Sequence, residues 1–107
     1  MDESVIKRIF IALKPDGSRL SLTVTVTPPE QDERDDNGDF YCRVEIPELS
    51  IQHRSYGIDA LQALCLVNPC LRSVFVPLLD QGWTFYLPEA PSEVLDLLAC
   101  YFPAVEV

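Results

Sequence analysis

GIDALQALCLVNPCLRSVFVPLLDQG, residues 57–82, decides how this chain folds. Gly57 closes the segment before it, Asp59 is a natural N-cap, and Gln62 stands three residues on, in the capping-box position. Stepping about 100° per residue from Asp59 gathers Ala60, Leu61, Leu64, Val67, Leu71, Val74, Phe75, Leu78 and Leu79 on one broad face. The opposite stripe holds Asp59, Gln62, Leu66, Pro69, Ser73, Val76 and Asp80, and Gly82 stops the run. A helix over 59–81 is about 35 Å long, longer than the ~27 Å of an eight-residue strand, so it must bend to stay on a sheet. Asn68-Pro69 is the expected place: Pro69 cannot donate to the Cys65 carbonyl, and Asn68 before proline leaves helical angles or acts as a cap. A kink or a break into two segments is expected there, and Pro77 bends the last turn again.

An apolar helix face needs a partner, and the segments before it supply one. Val5 to Leu13 alternates, with Val5, Ile9, Ile11 and Leu13 on one side and Arg8 on the other. Leu20, Leu22, Val24 and Val26 alternate with Ser21, Thr23, Thr25 and Thr27, the strongest period-two pattern in the chain. Lys14-Pro15-Asp16-Gly17-Ser18 between them has tight-turn chemistry. A third strand over 40–46 turns Phe40, Cys42, Val44 and Ile46 inward, and a fourth over 51–56 completes a meander. Downstream, Trp83 to Leu87 reads as a final strand. Ser92 reads as the cap of a last helix reaching Tyr101, with Val94, Leu95, Leu98 and Tyr101 inward. The expectation is a single α+β domain over residues 1–107: an antiparallel β-meander of four to five strands covered on one face by a long kinked helix and a short C-terminal helix.

Composition narrows the function. The 107 residues are 48% apolar and 23% charged, which is globular and not disordered. Eight Lys and Arg against seventeen Asp and Glu give −9, which disfavours phosphate-led nucleic-acid binding. Residues 28–50 carry two basic and eight acidic side chains, most of them in the loop PPEQDERDDNGD (Pro28–Asp39). The opening MDESVIKRIFIALK has acids where a signal peptide needs positive charge, and no window approaches eighteen uninterrupted apolar residues. A cytoplasmic protein without a membrane segment is therefore expected. Cys42, Cys65, Cys70 and Cys100 each sit in an apolar pattern and read as small core residues, not a disulfide framework.

No constellation carries chemistry. With Gly38 at the obligatory glycine of a calcium loop, Glu33, Asp35 and Asn37 take ligand positions, but the twelfth falls on Val44 where a glutamate is needed. The loop reads instead as a hairpin tip turned by Asn37-Gly38. A Cys42–His53 nucleophile pair lacks an orienting third residue and an oxyanion loop. Cys65 and Cys70 lie about 140° apart on a helix and do not pair as zinc ligands. No catalytic residue, cofactor or metal is expected. The stripe Gln62, Leu66, Pro69, Ser73 and Val76 is the candidate interface: scattered exposure, a seat for Leu97 and Phe102 of the C-terminal helix, or contact with another chain. Another protein, or a second copy in a homodimer, is the expected partner. Three roles fit: an acidic immunity or inhibitor protein for a basic partner, a homodimeric scaffold, and the less favoured Cys42–His53 enzyme.

Tyr56-Gly57-Ile58-Asp59-Ala60-Leu61-Gln62-Ala63-Leu64, with Phe40-Tyr41-Cys42-Arg43-Val44 upstream, resembles a family of short bacterial proteins without assigned function. That resemblance covers about the middle half of the chain. It implies a small cytosolic α+β protein and brings no catalytic residues with it. Asn68-Pro69 departs from the smooth Ala/Leu-rich helix of that pattern.

Overall fold

The four alternating segments pair as the pattern requires. In the computed structural model, which describes residues 5–33 and 38–103, β1 (Ile6–Leu13) and β2 (Arg19–Val26) form an antiparallel hairpin, and β4 (Phe40–Ile46) pairs along its whole length with β5 (Ile51–Gly57). The other side of β4 is shared by the end of β2 and the two-residue β3 (Glu30–Gln31). On the far side, β1 pairs with β6 (Thr84–Leu87), which pairs with β7 (Ala90–Leu95). The sheet thus has seven strands, all antiparallel, with β5 at one edge and β7 at the other. That exceeds the four to five expected, because β3 and β7 carry no alternating pattern of their own. The molecule is 21 Å thick in its shortest direction, two layers of structure.

One face of the sheet is apolar and faces the helices. Leu22, Val24 and Val26 of β2, Cys42, Val44 and Ile46 of β4, and Phe85 of β6 are all buried there. In β1 the inward residues are Phe10 and Ala12, not the set Val5, Ile9, Ile11 and Leu13. The register decides this: Phe10 lies opposite Leu22, whereas Ile9 and Ile11 lie opposite Thr23 and Ser21 on the open face. Both faces of β1 are apolar, so alternation alone does not choose between them. Arg8 sits at the end of the inward row and donates from Nη2 to Glu89 Oε2 at 2.6 Å, pinning the β6–β7 turn to β1.

Pro47 sets where β2 and β4 part. Their register (Thr25 opposite Glu45, Val26 opposite Val44) brings Thr23 to Pro47, which has no N–H for the ladder. Residues 47–49 form a single 3-10 turn, and Glu48 replaces the lost partner. Its carboxylate accepts from the Thr23 backbone N–H at 2.8 Å and from the Thr23 hydroxyl at 2.9 Å. The backbone N–H of Thr23 is the chief cause that holds the Glu48 carboxyl below its usual range. A carboxyl whose folded pKa lies below its unfolded value contributes stability above the ordinary range, and that contribution disappears as pH falls through the folded value. Glu48→Ala is therefore expected to cost about 1 kcal/mol at neutral pH. Urea midpoints of wild type and variant are expected to draw together as pH falls below the ordinary carboxylate range; a pH-independent gap contradicts a charged cap.

The helical segment breaks in two. α1 (Ala60–Cys65) is capped by Asp59, whose Oδ1 accepts from the Gln62 N–H at 2.8 Å, while Gln62 Oε1 accepts from the Ile58 N–H at 2.7 Å. This is a capping box whose return bond reaches one residue further back than Asp59. α2 (Val67–Asp80) starts after Leu66, two residues ahead of the expected break at Asn68-Pro69. Restarting there places Pro69 in the first turn of α2, where backbone N–H groups have no helical partner in any case. Pro77 lies on the exposed side of α2, which runs on through it to Asp80.

The buried row across both helices is Ala63, Val67, Leu71 and Phe75, an unbroken i, i+4 series. Leu61 and Leu64, expected inward, are exposed. Ala63 meets the sheet where Gly57 leaves room: a Cβ on Gly57 would lie 2.3 Å from the Ala63 backbone nitrogen. The Ser55 hydroxyl donates to the Ala63 carbonyl at 3.0 Å, so a small residue on each element lets backbone approach backbone.

The C-terminal part differs most from expectation. Ser92 lies in strand β7, and the last helix is the single turn α3 (Leu97–Cys100), capped by Asp96. Val94 is exposed, and Leu97 and Phe102 supply the inward anchors. Pro88 and Pro91 mark a β6–β7 hairpin here, not the margins of a helix. Phe102 stacks on Phe75 at 5.3 Å, and Phe10 meets Phe75 edge-on. Arg72 donates to the Phe102 carbonyl and Asn68 to that of Pro103, which binds the segment after α3 to the flank of α2.

Candidate docking surface

Four large aliphatic side chains stand in solvent within nine residues: Ile58 (74% exposed), Leu61 (70%), Leu64 (44%) and Leu66 (42%); the half-exposed Tyr56 lies on the open face of the sheet, beside Tyr41. The exposure of the aliphatic residues follows from how α1 is seated. With Ala63 as its one buried residue, a helix of six residues has no second side to bury, so its leucines turn outward. Burying Ile58 or Leu61 elsewhere gains about 2 kcal/mol each, a strong bias towards contact. Single exposed leucines are ordinary; several on and beside one short helix are the kind of exposure that interaction surfaces show.

The stripe read from the sequence is only partly one surface. Leu66 and Pro69 are exposed and close in sequence to the α1 cluster. Gln62 is exposed but occupied by the capping box, and the Ser73 hydroxyl donates to the Cys70 carbonyl at 2.6 Å. Val76 is half-buried on α2. Leu97 and Phe102 do not cover this stripe; they join the main core. Ile58, Leu61 and Leu64 are the residues that pattern reading did not place here. The available signal was the small pair Gly57 and Ala63, which indicates where backbones meet and hence which way the leucines point.

Cys42 and His53, the pair read from the sequence, are not cross-strand partners. Cys42 is wholly buried opposite Ser55, and His53 is exposed opposite Val44. Burial chiefly, with Glu30 nearby, pushes the Cys42 thiol up, the opposite of an activated nucleophile. Cys70 is raised by burial as well. Cys65 and Cys100 are exposed, contrary to the reading of all four cysteines as core residues; all four are free thiols. Among the described residues no three His, Cys, Asp or Glu side chains converge as metal ligands. Asp35 and Asn37 of the calcium-loop alignment lie outside the described residues. Gly38 has the positive φ (70°) expected of the hairpin tip.

Ala60–Asp80 is by length and composition long and apolar enough to cross a membrane, although no window of eighteen residues is uninterrupted. In the fold its Val67, Leu71 and Phe75 side is packed on the sheet.

The fold and this surface define a two-layer α+β domain with an apolar end. Compared with known protein families, curated proteins and solved structures, the chain matches none.

Proposed function

We propose that this protein is a non-catalytic interaction module that docks a partner protein through the apolar surface formed by Ile58, Leu61, Leu64 and Leu66. The observation that carries this reading is the joint exposure of these four aliphatic side chains on and beside α1. α1 is held by backbone contact and a capping box, so the surface is presented without an ordering cost to be met on binding. The acidic-inhibitor reading rests on the charge of residues 28–39, part of which lies outside the described residues, and no geometry adds to it.

Affinity capture with wild type and Leu61→Asp, with Val94→Asp as an exposed control on β7, tests the reading. A protein that binds wild type and Val94→Asp saturably, and Leu61→Asp at least tenfold more weakly, is the expected result. Capture of the same proteins at the same strength by all three baits contradicts it.

A further inference from the structure

We infer that the outer edge of β5 is an acceptor for an extended segment of a partner protein in which acidic side chains alternate with apolar ones. In an antiparallel ladder the N–H and C=O of one residue point the same way, and the direction alternates along the strand. The Arg43 carbonyl accepts from the Thr27 N–H at 2.9 Å, so Arg43 faces β2. Its cross-strand partner Arg54 therefore turns its own N–H and C=O away from β4, and Gln52 and Tyr56 do the same by parity. Among the described residues no strand pairs with this edge. Three residues of outward main-chain donors and acceptors match only another strand.

The two faces of the edge choose the side chains. On the open face lies a groove of about 320 Å³ lined by Arg43, Glu45, Gln52, His53 and Arg54. Arg43 and Arg54 stand directly opposite each other there; Glu30 already pairs with Arg43 at 3.1 Å, which leaves Arg54, 4.6 Å over the Tyr41 ring, as the guanidinium that an added carboxylate meets. On the helix face lies a second groove of about 340 Å³, to which Ile51, Cys70 and Val74 contribute apolar surface. Successive side chains of an incoming strand point to opposite faces, so one set enters the arginine groove and the other the apolar one. A second copy of this chain fits less well: pairing β5 with β5 about Arg54 sets arginine against arginine. The inference rests on the reading of the chain as an interaction module, but it uses a different surface from the α1 end.

Fluorescence anisotropy with a labelled ten-residue peptide alternating valine and glutamate, held below its own assembly concentration, tests it against a valine–lysine peptide. The glutamate peptide is expected to bind wild type at least tenfold more tightly than the lysine peptide. Gln52→Pro removes an outward N–H without touching the β4 ladder, and Arg54→Glu reverses the charge; each is expected to weaken binding at least tenfold. A glutamate peptide N-methylated on alternate residues, used with unaltered protein, is expected to lose binding to the same extent. Leu61→Asp is expected to bind the peptide like wild type, which separates failure here from failure of the α1 surface. Absence of binding, equal binding of both peptides, or indifference to N-methylation overturns the proposal. So does a wild-type dimer in sedimentation that Gln52→Pro dissociates, since the edge then belongs to a second copy.

Discussion

Phe75→Ala is expected to destabilise the protein by about 3–5 kcal/mol, read as a shift of the urea midpoint. Phe75 is wholly buried and is the point where three parts of the chain meet. Its ring stacks on Phe102 from the C-terminal segment and meets Phe10 of β1 and Phe85 of β6 edge-on. Truncation removes the transfer energy of the ring and leaves a cavity walled by three aromatics held on separate elements, so collapse around it is limited. A domain of this size has about 5–15 kcal/mol to lose, so the variant is expected to be partly unfolded near physiological temperature. A loss below about 1.5 kcal/mol contradicts this packing, because it requires a ring that solvent already reaches.

Gly57→Ala is expected to cost about 2–4 kcal/mol, although it adds one methyl group. The added carbon would lie 2.3 Å from the Ala63 nitrogen, 2.8 Å from the Gln62 carbonyl carbon and 2.9 Å from the Ala63 Cα. All three are backbone atoms, so no rotamer change relieves the clash, and α1 must lift from β5. Lifting it breaks the bond from the Ser55 hydroxyl to the Ala63 carbonyl and opens Ala63 to water. Amide hydrogen exchange at residues 63–66 is expected to accelerate with the loss of stability. An alanine variant within about 0.5 kcal/mol of wild type contradicts the seating of α1.

The layers of this fold are legible in the sequence because burial and period agree. Leu22, Val24 and Val26 are the only apolar choice on their strand, as are Cys42, Val44 and Ile46, and both sets are buried. β1 is different: IKRIFIAL is apolar on both sides, and only its register with β2 selects Phe10 and Ala12. The helix illustrates a second limit. A wheel drawn from Asp59 weighs leucines over alanine, but the sheet receives α1 through Gly57 and Ser55, where only the small Ala63 fits. The large residues are thereby turned outward, and the candidate surface moves from the Gln62–Val76 stripe to the Ile58–Leu66 segment. At the C-terminus, Ser92 is as good a cap as Asp96, and the choice between them depends on β6 offering β7 an edge to pair with. The Asp59–Gln62 capping box and the break near Pro69 are local chemistry, and both are found close to where the residues indicate.

The stability of Leu61→Asp in the isolated protein decides whether the Ile58–Leu66 segment is a surface or part of the core. A side chain that stands in solvent for want of a partner is replaced at little cost, so urea unfolding is expected to place the variant within about 0.5 kcal/mol of wild type. A loss of about 2 kcal/mol or more shows Leu61 buried inside the fold, and the docking surface proposed here is then wrong.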